Sequence, residues 1–293
     1  DLVTLTGTDA VMSYTDPTPV DSRRFYRLVL ADNGVTARFR QPEILGDRSV
    51  RLTWDVTLGA GYTPMIRYLA VEARTLSART LTESQAIGEA SGVEIGSVAA
   101  PVSVVGADGT VSGVSDGAQS DLVTAGGNGS IYVRTLAGSL TLNDGADPAD
   151  GVAVSANGGG NVLLEAIGFG TDVVAGADIV SGGGHVTVVG ARDVRLLAGA
   201  DLRTTGAGTI DVEAASGSVT FSTSSHQTTG SGGIRFLAAV DITLGGVATT
   251  TGNVSATATT GSILDGDSDG SVDIAANGLR LVAGTGVGQL GGS

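Results

Sequence analysis

From about residue 127 onward the chain repeats one pattern: an apolar residue, any residue, a second apolar residue, any residue, then a small one. It reads Ile131-Tyr-Val-Arg-Thr135, Val162-Leu-Leu-Glu-Ala166, Val186-Thr-Val-Val-Gly190, Ile210-Asp-Val-Glu-Ala214, Ile234-Arg-Phe-Leu-Ala238, Val254-Ser-Ala-Thr-Ala258 and Leu279-Arg-Leu-Val-Ala283. Successive starts lie 31, 24, 24, 24, 20 and 25 residues apart, a period close to 24. A second short strand follows eight or nine residues later at Val194-Arg-Leu196, Val219-Thr-Phe221, Ile242-Thr-Leu244 and Ile263-Leu264, so each repeat has at least two faces. Ala-Gly-Ala-Asp at 175–178 and 198–201, and Thr-Thr-Gly at 204–206, 228–230 and 250–252, recur in the same phase.

A strand this short cannot bury its apolar face alone. Stacking coil on coil gives a continuous narrow core and places the backbone hydrogen bonds between coils. The pattern therefore predicts an all-β chain, a parallel β-helix or β-solenoid, with right-handed winding as the usual sense of parallel crossovers. A stack of antiparallel sandwich modules would need longer strands and recurring hairpin turns. Leu69-Ala-Val-Glu-Ala73, Ala86-Ile-Gly-Glu-Ala90 and Val93-Glu-Ile-Gly96 fit the template loosely, and predict irregular first coils over 66–126 before the regular ones of 127–293.

The first 65 residues read differently. Val50, Leu52, Trp54, Val56 and Leu58 alternate strictly with polar residues, which predicts one long half-buried strand. Phe25–Leu30 and Val35–Phe39 predict two more, joined through the turn signal Asp32-Asn-Gly34. Residues 1–65 are thus expected to form a small antiparallel β module or cap.

Composition narrows the chemistry. Among 293 residues, aromatics are 4% and glycines number 47, which suits many tight turns around a thin core. All 16 basic residues are Arg, so lysine Schiff bases and P-loop lysines are excluded, and the absence of Cys excludes disulfides and thiolate sites. The net charge of −14 is carried almost entirely beyond residue 80, a balance that repels nucleic acid and attracts cations. No apolar stretch approaches the roughly 20 residues a transmembrane helix needs. The sequence opens on Asp1, and is expected to be a processed product or a part of something longer whose export signal lies outside it.

Gly129-Ser-Ile-Tyr-Val, Gly160-Asn-Val-Leu-Leu, Gly208-Thr-Ile-Asp-Val and Gly278-Leu-Arg-Leu-Val-Ala-Gly-Thr-Gly-Val-Gly288 resemble the repeat regions of giant bacterial exported proteins of the filamentous-haemagglutinin-like type, over roughly residues 66–293. Tyr14–Arg27 resembles a closing strand of immunoglobulin-like modules from large bacterial surface proteins. The resemblance implies an extracellular or cell-surface location and a structural or adhesive role as stalk, adhesin, filament or biofilm-matrix component. Expected partners are neighbouring domains, a host-surface or polysaccharide ligand and, since no obvious polar cap follows Gly291, further copies of the same chain joined end to end.

The sharpest local motif is Asp265-Gly-Asp-Ser-Asp-Gly270 with Asp273. Its Asp265, Asp267 and Asp269 match the start of a calcium loop, although Ala276 stands where the bidentate Glu belongs. Asp144, Asp147 and Asp150 sit in the insertion that lengthens one repeat to 31 residues, and are a second candidate for Ca2+. A solvated acidic turn is the plain alternative in both places.

No residue is assigned a catalytic role, and the chain is expected not to be an enzyme. Gly113-Val-Ser-Asp-Gly117 lacks the strand, helix and histidine of a nucleophile elbow, and Gly286–Gly291 lacks a βαβ frame. His185 and His226 stand alone in turns of different coils. Arg23, Arg24 and Arg27 beside Phe25 and Tyr26 read as a solvated strand. Outward positions pair opposite charges between neighbouring coils, Arg134 with Glu165 and Asp211 with Arg235, as ion pairs worth about 0.2–1 kcal/mol each. The rival expectation is a carbohydrate-active β-helix enzyme, a polysaccharide lyase or hydrolase, which would need a line of acidic or Arg side chains along one groove.

Overall fold

The computed structural model describes residues 11–16, 35–39, 43–44, 50–58, 66, 68–146, 149–222, 225–266 and 271–288. Contacts divide the chain into two units, Asp1–Ile66 and Arg67–Ser293. The described residues contain strands and no helix.

In the first unit Val50–Leu58 is the central strand of an antiparallel sheet. Val11–Asp16 lies along one edge, while Val35–Phe39 and Glu43–Ile44 pair with its two ends on the other. Its nine residues make it long enough to pair with all three neighbours. The strand expected at Phe25–Leu30 and the turn at Asp32–Gly34 lie outside the described residues.

The second unit is a parallel β-solenoid of three sheets. The first sheet has nine strands, Leu69–Val71, Gln85–Glu89, Ile131–Thr135, Val162–Ala166, Val186–Gly190, Ile210–Ala214, Ile234–Ala238, Asn253–Ala258 and Gly278–Ala283. The second has eight, from Thr75–Leu76 through Leu140–Leu142 and Val194–Leu196 to Ile263–Asp265. The third, also of eight, runs from Ala78–Thr80 through Val152–Ala156 and Leu202–Arg203 to Ile274–Ala275. Eight strand spacings make this stack roughly 40 Å along its axis.

Register explains why the template reads as it does. Ile131, Val162, Val186, Ile210, Ile234 and Val254 are stacked partners, and all point into the core. Two positions on, Val133, Leu164, Val188, Val212, Phe236 and Ala256 form a second inward column. The rings of Phe221 and Phe236 meet in the core with centroids 4.9 Å apart. The third sheet, which the pattern does not reveal, places one large inward side chain per strand, Leu122, Val154, Ile179, Leu202, Gln227 and Val247, and most of its other inward positions are small or hydroxyl-bearing. A single apolar residue flanked by Asp, Arg or Thr carries no periodicity to read.

The corners are held by polar side chains in register. Before the second-sheet strands, Ser139, Asp172, Asp193, Ser218 and Asp241 each accept the backbone N–H of their counterpart one coil on, at 2.8–3.2 Å. Before the first-sheet strands, Ser84, Ser130, Asn161 and His185 do the same. At the ends of the third-sheet strands a column of buried hydroxyls, Thr124, Ser181, Thr204, Thr229 and Thr249, donates to turn carbonyls at 2.7–2.8 Å. These bonds satisfy turn groups that the ladders leave over. In the same turns Gly184, Gly208 and Gly232 stack so closely that a Cβ on any of them would overlap the carbonyl of the glycine one coil before.

Coil length varies chiefly at one corner. Connections from second to third sheet range from the single residue Ser77 or Gly245 to the whole of 96–121, with 143–151 and 266–273 also long. Both acidic motifs of the sequence fall in this corner. So does an unforeseen antiparallel hairpin, Pro101–Val105 with Val111–Ser115, closed at its base by pairing of Val98 with Gln119.

Candidate functional site

In repeat architectures, insertions collected on one face often build the binding surface, so this corner is where a site is to be sought. Among the described residues one group of carboxylates converges here. Ligand oxygens of Asp121, Asp144 and Asp150 all lie within 4.8 Å of one another.

Local structure aims each of them. Asp121 precedes the strand Leu122–Thr124 with φ of 63°, a left-handed conformation that Asp tolerates better than most residues. Its side chain is only 3% exposed, and Oδ1 accepts the N–H of Gly145 at 2.8 Å. Asp144 Oδ2 accepts the N–H of Gly151 at 2.9 Å, and Asp150 Oδ1 that of Val152 at 3.0 Å. Asp144 Oδ1 is buried and has no hydrogen-bond partner. The hydroxyls of Ser97 and Ser120, 2.7 Å apart, join the hairpin base to the same loop, where Ala146 donates to Ser97 Oγ.

Burial, with Asp144 and Asp150 nearby, pushes the Asp121 carboxyl up to about 6, against the lowering effects of the Gly145 N–H and Arg79. Desolvation leads, and the Gly145 hydrogen bond and the Arg79 charge only partly offset it. Three carboxylates with one buried unpartnered oxygen can either share a proton or hold a hard cation such as Ca2+, whose ligands are oxygens.

The structure thus brings Asp144 and Asp150 together, while Asp147 lies outside the described residues. Asp121 is the member that sequence reasoning missed. Gly145, whose N–H it binds, lies in the insertion of the next coil, so the group is assembled across two coils. In the other acidic motif Asp265 ends a second-sheet strand and Asp273 precedes a third-sheet one, while Asp267 and Asp269 lie outside the described residues.

Charges elsewhere serve the stack. Arg134 bonds Glu165 at 2.6 Å and lies over the Tyr68 ring at 4.9 Å. Arg192 and Arg195 converge on Asp172, and hydrogen bonds from Arg192 hold its carboxyl below the usual range. Arg203 bridges Asp178 and Asp201; burial nevertheless raises the Asp178 carboxyl. Both histidine side chains are exposed. His185 belongs to the corner ladder, and the N–H of His226 is bound by Asp201 at 2.8 Å.

On the outer face of the first sheet a shallow depression of about 680 Å3 is bordered by Asp211, Arg235, Asn253, Ser255 and Arg280. Arg235 chelates Asp211 at 2.7 and 2.9 Å and reaches Glu213 at 3.4 Å; these bonds, that to Asp211 foremost, stabilise its charge. Arg280 donates to the hydroxyls of Ser255 and Thr257. No family model matches the chain, and no curated protein or solved structure matches it.

Proposed function

We propose that residues 67–293 act as a stiff spacer in a structural or adhesive segment of a secreted or cell-surface bacterial protein, serving a stalk, adhesin, filament or biofilm matrix. The observation that carries this reading is the direction of the bonding. Sheet ladders, corner side chains and the outward pairs Arg134–Glu165 and Asp211–Arg235 all link one coil to the next along a single axis. Chemistry spent this way resists extension and bending of a stack.

Calcium at Asp121, Asp144 and Asp150 is a subsidiary part of the proposal, supported by the all-oxygen donor set and the buried unpartnered oxygen of Asp144. Its role there is to staple the longest insertions to the stack.

The depression beside Arg235 and Arg280 is where the rival enzyme reading would have to act. The deciding experiment incubates the chain with neutral and uronate-containing polysaccharides, following both retention on the polymer and release of shortened products. The spacer reading expects no products. Product release that Asp211→Asn or Arg280→Ala abolishes would replace it with the lyase or hydrolase reading.

A further inference from the structure

The hairpin of Pro101–Val105 and Val111–Ser115 stands outside the solenoid's own architecture. The strands before and after it, Val93–Ile95 and Leu122–Thr124, keep their places in the second and third sheets. Its base is closed by Val98 and Gln119, and its tip by Asp108, which accepts from the N–H and hydroxyl of Thr110. Every strand residue is exposed, and Val102, Val104, Val105, Val111 and Val114 are 45–68% exposed.

An isolated two-stranded ribbon is marginal in water, and proteins usually guard such edges with charge or proline. Neither strand contains a charged residue, and the only proline, Pro101, is at one end of one edge. The edge formed by Val111–Ser115 is unguarded.

We propose that this edge pairs antiparallel with the same edge of a second copy of the chain, giving a four-stranded sheet across a two-fold axis. Two observations select a second copy. The first is charge: a chain of net charge −14 repels its copies over most of its surface, and the two hairpin strands, which carry no charged residue between the Asp108 tip and Asp116, are where they approach at least cost. The second is self-complementarity. With Gly113 on the axis, Ser112 faces Val114 of the other copy, and Val111 faces Ser115. Because Val102 pairs with Val114 and Val104 with Ser112, valines of both copies then share one face. Every residue of Val111–Ser115 is exposed, and nothing adjoins the Cβ position of Gly113, so the face of the ribbon is open at the axis as well. This proposal extends beyond the spacer reading and stands without it.

Sedimentation equilibrium of the full chain over a wide concentration range tests it, at low and at high salt. The expected mass climbs from 28.9 kDa toward twice that value, and climbs further at high salt, where like-charge repulsion is screened. Val114→Lys, placed on the exposed ribbon, is expected to keep the native melting temperature and remain at the single-chain mass. A second variant, with 99–118 replaced by two glycines between Val98 and Gln119, is expected to do the same. A native chain that stays at 28.9 kDa under all conditions overturns the proposal, as does association that survives in both variants.

Discussion

The backbone N–H of Thr209 donates to Nδ1 of His185, one coil earlier, at 3.3 Å, and the Thr209 hydroxyl lies 2.8 Å from the same nitrogen. His185 therefore does the work that Asn161 does below it, where Oδ1 accepts the N–H of His185 itself at 2.9 Å. An acceptor at this corner is what the fold requires, and an imidazole carrying its proton on Nε2 meets that requirement. His185→Ala is expected to cost about 1 kcal/mol, the typical net worth of one hydrogen bond. His185→Asn, which restores the acceptor, is expected to unfold close to the native urea midpoint. Equal losses in the two variants would mean that the ring, and not its acceptor, is what matters.

Much of this architecture is legible in the sequence because it is translational. Val162, Val186 and Ile210 recur every 24 residues since each sits on the last, and Arg134 with Glu165 can be paired by phase alone. What escapes is whatever breaks translation. The third sheet has too few inward apolar residues per strand to show a period, and Pro101–Ser115 is an insertion with its own antiparallel register. Asp121 escapes for another reason: a carboxylate group assembled across coils is invisible to a search of one loop, and Asp144 and Asp150 were only part of it.

Gln227 occupies an inward column between Leu202 and Val247 and is fully buried, with neither amide atom hydrogen-bonded. An unsatisfied buried amide costs about 1–3 kcal/mol. Gln227→Leu, matching the residue one coil before, is expected to stabilise the chain by about that amount, read as a higher denaturation midpoint. A fall in stability would show that the amide has a partner, such as a buried water, that the substitution strips away.

Gly208 and Gly232 stack where backbones from successive coils approach too closely for a side chain. A Cβ on either would meet the carbonyl of the glycine one coil before, and a backbone carbonyl cannot swing aside as a flexible side chain can. Gly232→Ala is therefore expected to destabilise by well over the roughly 1 kcal/mol typical of point substitutions. Gly109→Ala, at a hairpin tip with φ of 81° and open space around it, carries backbone strain without that collision. Its smaller loss, measured in parallel, separates steric overlap from φ strain.

Asp121 gives the chain a pH response whose sign is fixed. Its carboxyl titrates at about 6 in the fold against 3.8 when free, because burial outweighs the Gly145 hydrogen bond and Asp144 and Asp150 add repulsion. The folded state thus binds the proton more tightly than the unfolded one, so this contribution is complete below about pH 4 and is lost as pH rises through about 6. Asp178, also raised by burial, acts in the same direction, so the comparison must be made within one variant pair. The melting temperature of the native chain is expected to fall between about pH 4 and about pH 7 more than that of Asp121→Asn, which has nothing to titrate at that position. If Ca2+ occupies the group, it takes the place of the proton: adding calcium at about pH 7 raises the native melting temperature, and Asp144→Asn removes the response. A native chain whose pH profile matches that of Asp121→Asn would show that Asp121 is ionised throughout, and calcium without effect on either would leave the cluster as a proton site alone.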